Sequence, residues 1–178
     1  MRNLELAYLT VAYGMAGIMF HATKHRSFST VSHIAIDRKL TRYVFFWGLT
    51  ISALIFAMLM FGWAIPYYNL NLTIQFLVGF IVVCQILTGL FPINEKKFGG
   101  AHTIFASSLG LGMFLLLVAL AATTTLHAVA RTADALLAVG MIGLLATSLQ
   151  VPRGEYLFHE KIFFAFWHAA IFITIYFG

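Results

Sequence analysis

The chain contains a single cysteine, Cys84, set inside an apolar run, so it can form neither a disulfide framework nor a cysteine metal cluster within itself. Charge is scarce as well. Charged residues make up 10% of the 178 positions and hydrophobic ones 61%, against about 25% and 45–50% in a soluble domain. With so few polar stretches there is no room for a second domain. The sequence also lacks a phosphate-cradling glycine loop, a nucleophile elbow and a zincin helix. No reaction-specific motif therefore assigns a function.

What remains is a series of long apolar runs, about 4–20, 43–67, 70–91, 101–126, 132–151 and 157–177. A membrane-crossing helix needs about 20 mostly apolar residues. Hydrocarbon leaves the backbone no partner outside its own segment, so such runs must be helices. A barrel would instead alternate over segments of about ten residues, which this sequence does not do. The expected fold is an all-α polytopic membrane protein, a single domain over 1–178 with six transmembrane helices arranged as three hairpins and joined by short loops. Residues 6–20 precede a basic cluster and carry no small-x-small cleavage site, so they read as the first span and not as a signal peptide.

The net charge of +5 does not point to nucleic acid, because nine of the eleven lysines and arginines fall in alternate loops. Lys24, Arg26, Arg38, Lys39 and Arg42 lie in the first loop, Lys96 and Lys97 in the third, and Arg153 and Lys161 in the fifth. Only Arg2 and Arg131 lie on the other side. The positive-inside rule then puts the odd loops in the cytoplasm and both termini outside, the expected setting being a prokaryotic cytoplasmic membrane. Residues 27–41 mix apolar and basic side chains, the pattern of an interfacial amphipathic helix, and Arg38, Lys39 and Arg42 are its candidate lipid-headgroup contacts. An ordinary positive-inside loop explains the same residues.

Ionisable groups far from both span ends mark ion paths and counter-ions. By the run boundaries above only His168 qualifies, and every lysine and carboxylate sits near an end or in a loop. That disfavours a retinal Schiff base and an acidic proton relay. His168, beside Trp167, is expected to hydrogen-bond a Ser, Thr or Gln on another helix. The remaining candidate site is a cytoplasmic polar cluster of His21, His25, His102, His159, Glu95 and Glu160. His21 and His25 are spaced to share a helix face. His102 paired with His21 or His159 at matched depth could ligate haem, and the same three are the metal ligands if a divalent metal binds. Histidines that bond headgroups, loops or water are the preferred account of the pattern, and no cofactor is expected.

Ser107 and Ser108 near His102 read as packing residues. Small residues at Gly14 and Gly17, Gly48 and Ser52, Ser108 and Gly112, and Gly140 and Gly143 mark expected helix contacts. A weak echo, Pro92-x-x-Glu95-x-x-Phe98 and Pro152-x-x-Glu155-x-x-Phe158, follows two inward-running spans. It can be a parallel repeat of hairpins or ordinary helix punctuation.

Gly89-Leu90-Phe91-Pro92, a short polar loop and then His102 at the start of the next span make the chain resemble an uncharacterised six-span prokaryotic family, domain of unknown function 998. Glu160-Lys161 ahead of Trp167 in an aromatic-rich last span adds to the likeness, with lysine where that family leads one to expect arginine. The resemblance covers nearly the whole chain. It implies the six-span architecture, assigns no activity, and draws attention to Pro92, His102 and Glu160.

The leading expectation is a non-catalytic integral membrane protein acting through lipid or protein contacts, an accessory subunit of a membrane complex or a homo-oligomer. Its partners are the bilayer and other membrane chains, not nucleic acid. Two alternatives stand beside it. One is a metal- or haem-binding enzyme or redox protein with its site at the cytoplasmic face. The other is a small transporter or channel lined by Gln75, Gln85, Thr88, Ser107, Ser108 and Ser148.

Overall fold

A computed structural model describes residues 2–22, 39–91, 99–148 and 156–178. Among these residues the chain is helical, without strands. Helix α1 spans Arg2–Ala22, and α2 spans Lys39–Leu59 and continues through a π-helical turn, Met60–Ala64, into the short α3, Ile65–Tyr68. Then follow α4 (Leu72–Leu90), α5 (Gly99–Ala122), α6 (Ala128–Ser148) and α7 (Tyr156–Phe177). Five stretches are long and apolar enough to cross a membrane, α2 and α3 together counting as one of 30 residues; α1 contributes the apolar stretch Leu6–Met15.

The π turn has a local cause. Pro66 has no N–H to offer the carbonyl of Gly62, and the helix widens so that Ile65 N–H reaches Met60 O, five residues back. The helix then stops at Asn69, which takes the left-handed conformation (φ 50°) that asparagine tolerates better than most residues. Leu70 N–H returns to Ile65 O (3.0 Å), closing a Schellman turn, and the Asn71 side chain accepts from Ile74 N–H (3.1 Å) to start α4. Three residues thus reverse the chain.

At the reversal between α5 and α6 the structure corrects two expected boundaries. The run expected to continue to 126 ends at Ala122, and the helix expected from 132 begins at Ala128. Three successive threonines, Thr123–Thr125, favour local side-chain bonds over continued helix, and Thr123 Oγ1 donates to Ala119 O (2.7 Å). His127 caps α6 by accepting from Val129 N–H (3.3 Å), while Arg131 Nε donates back to Ala121 O (3.1 Å), tying α6 to the end of α5. The earlier start moves Asp134 from the edge of a span to the second turn of a helix.

Consecutive helices pack on one another, and α5 also meets α7. The last helix returns to the first through Trp167 Nε1, which donates to the Tyr8 hydroxyl (3.1 Å), and Phe56 of α2 packs edge-on to Trp167 (5.5 Å). The interior holds Phe56, Leu59, Met60, Ile74, Ile81, Leu116, Leu117, Leu120, Met141 and Trp167, all fully buried. The exterior is equally apolar: Leu72, Phe76, Ile104 and Val139 are each more than 60% exposed. Lipid-facing helices show this reversal of the water-soluble pattern, and their association rests on packing and hydrogen bonds because lipid tails are as apolar as the core.

Close packing falls at only some of the expected small residues. A side chain at Gly48 would run into Met15, at Gly112 into Phe80 and Ile81, and at Gly140 into Phe166. Gly14, Gly17 and Gly143 face open space within the chain.

Candidate functional site

The expected cytoplasmic cluster is only partly within the described residues. His25, Glu95 and Arg38 lie outside them, as do residues 27–38 of the expected interfacial helix and most of the proline echo, and His21 belongs to the last turn of α1. Lys39 and Arg42 occupy the first turn of α2, both exposed. His159 and Glu160 are half-buried in the first turns of α7, with His159 edge-on to Phe158 (5.9 Å). Among the described residues no three His, Cys, Asp or Glu side chains are grouped to hold a metal.

His102 is the best-defined member. It is 2% exposed and turned inward from the first turn of α5, where its Nδ1–H donates to Phe91 O (2.7 Å) and Thr88 O (3.2 Å). Carbonyls only accept, so the proton must be on Nδ1, which puts the lone pair of the neutral ring on Nε2. Phe91 and Thr88 end α4, whose last carbonyls lack intrahelical donors. The imidazole supplies them across the loop. The end of α4 at Thr88 and Phe91 and the start of α5 at His102 are therefore physically joined.

Deeper in the bundle, Gln85 Nε2 donates to Ser52 Oγ (2.7 Å) and to Leu49 O (3.2 Å), and Ser52 Oγ donates to the same carbonyl (3.1 Å). Thr88 is satisfied by Cys84 O (2.7 Å). Of the expected polar path, Gln85 is thus bonded across to α2 and Thr88 within α4.

His168 does not make the expected bond to a Ser, Thr or Gln. Its ring lies between Tyr8 and Tyr13 of α1, with both centroids 5.3 Å away. Its Nδ1 is buried and has no hydrogen-bond partner among the described residues. The neighbouring Trp167 makes the interhelical bond instead.

The expectation that every carboxylate sits near an end or in a loop is corrected at Asp134. It is fully buried between α6 and α7, about 9 Å along the helix from Ala128. Thr174 Oγ1 donates to its Oδ2 (2.9 Å), while Oδ1 has no hydrogen-bond partner among the described residues. Arg131, one turn earlier, is engaged with Ala121 O. The signal was present as periodicity: Ala130, Asp134, Ala138 and Met141 form one buried helical face. No family model, curated protein or solved structure matches the chain.

Proposed function

We propose that the chain is a six-span protein of a prokaryotic cytoplasmic membrane, with its termini outside and its basic loops inside, that acts without catalysis through lipid and protein contacts, as an accessory subunit or a homo-oligomer. The observation that carries this reading is the engagement of His102, the central histidine of the cytoplasmic cluster, as a cap on the carbonyls of Thr88 and Phe91. Gln85 and Ser52 support it by bonding each other and Leu49. The basic loop residues would then hold the inner leaflet, by about 1 kcal/mol for each lysine or arginine near the surface. The likeness to domain of unknown function 998 fits this architecture. Purification from membranes in mild detergent, followed by absorption spectroscopy, metal analysis and native mass spectrometry, tests the proposal. A lone monomer carrying stoichiometric haem or metal would overturn it.

Asp134 favours a second reading. A carboxyl group inside a membrane bundle is a functional site by default, and its bare Oδ1 suits a small transporter that moves a proton or cation. Ion flux into liposomes holding the protein, abolished by Asp134→Asn, is the expected result under this reading; flux indistinguishable from empty liposomes would end it.

A further inference from the structure

On the seam between α1 and α7, two polar rings lack the partners that hydrocarbon demands. The Tyr13 ring is 55% exposed, and its hydroxyl makes no hydrogen bond with any described group. His168 beside it is half-buried, and its Nδ1 is buried without a hydrogen-bond partner among the described residues. With Nδ1 shut away inside the chain, Nε2 is the ring nitrogen left to meet an outside partner, and it accepts when the neutral ring carries its proton on Nδ1. Tyr13 is the twelfth residue of the 21 in α1, and His168 the thirteenth of the 22 in α7, so both lie near the middle of the span. No water or headgroup reaches that depth to bond them. Their rings are 5.3 Å apart and tilted by 45°, packed as rings and not as donor to acceptor.

We infer that this seam is the contact between two copies of the chain, in which the Tyr13 hydroxyl of each donates to His168 Nε2 of the other. A surface carrying one donor and one acceptor side by side is self-complementary, and a two-fold axis through it forms both bonds at once. A second copy also brings the same apolar surroundings. Next to Tyr13, Gly14 and Gly17 are exposed with nothing above them. They carry no argument alone, but they let two α1 helices approach closely enough for the bonds to form. The inference names the partner for the contact function proposed above and rests on α1 being a membrane span.

The test uses the full chain with Cys84→Ser, which removes the only cysteine, and single cysteines at Gly14→Cys, Gly17→Cys and, as a control on α6, Val139→Cys. In native membranes, oxidation is expected to link copies through position 14 or 17 and not through 139. Tyr13→Phe, which keeps the ring and removes the donor, and His168→Leu should each weaken the dimer about tenfold, since both bonds are lost together. Absence of linkage at 14 and 17, or a Tyr13→Phe dimer as tight as the parent, overturns the inference. A water-soluble maleimide separates the two levels of failure. Protection of positions 14 and 17 upholds the span, and labelling there refutes the span itself.

Discussion

Replacing Thr174 by valine keeps the shape of the side chain and removes the donor that reaches Asp134 from α7. The carboxyl group is fully buried, and its other oxygen already lacks a partner, so the substitution leaves it wholly unbonded. An unsatisfied buried polar group costs about 1–3 kcal/mol, whereas interhelical hydrogen bonds in a membrane protein average about 0.6 and reach about 1.7 kcal/mol. A loss of about 1.5–2 kcal/mol is expected for Thr174→Val. Removing the other partner is cheaper, because threonines in this chain return to their own helix: Thr88 to Cys84 O, Thr123 to Ala119 O and Thr147 to Gly143 O. In Asp134→Ala the Thr174 hydroxyl can turn to Ala170 O in the same way, leaving a loss of about 1 kcal/mol. The double variant has neither the hydroxyl nor the stranded carboxyl, so it should be more stable than Thr174→Val alone. Unfolding in mixed micelles, followed by the fluorescence of buried Trp167, measures the cycle. A double variant less stable than Thr174→Val would refute the reasoning, since it would mean that Asp134 contributes stability independently of its hydrogen bond.

Three further substitutions test other parts of the fold. His102→Phe removes the donor to two end carbonyls of α4 and should cost about 1 kcal/mol; in any assay found for the protein, activity should fall only with the folded fraction, and an inactive but fully stable variant would give His102 a chemical role. Gln85→Leu should lose about 0.6–1.5 kcal/mol and Ser52→Ala less, because Gln85 keeps Leu49 O when Ser52 is gone; equal losses in micelle unfolding would contradict that ranking. Gly48→Ala drives a methyl group into Met15, with Cγ at 2.7 Å, and should cost about 1–3 kcal/mol, whereas Gly143→Ala should change stability by less than about 0.5 kcal/mol; thermal unfolding of the two side by side checks the contrast.

The helices were legible because hydrocarbon permits so few alternatives. An apolar run of twenty residues has one way to satisfy its backbone, and five such runs appear where expected. Boundaries were less legible, since Ala128-Val129-Ala130 and Thr123-Thr124-Thr125 are both apolar enough to join a run, and only cap geometry separates them. That error of one turn hid the most unusual polar group among the described residues. Moving the start of α6 from 132 to 128 is what places Asp134 inside the bundle.

Pairings were the least legible, for a physical reason. Asp134 and Thr174 are 40 residues apart, Gln85 and Ser52 33, and Tyr8 and Trp167 159, and no local rule of spacing connects such residues. The exception is His102 with Phe91, 11 residues apart across one loop, where a helix end that needs donors is met by a histidine in the first turn of the next helix. The same need governs the two rings that the fold leaves bare. In water an exposed tyrosine and a half-buried histidine require no explanation, because solvent completes their bonds. In the proposed six-span arrangement that completion has to come from another molecule, so the unmade bonds of Tyr13 and His168 are where a second copy would find a specific surface.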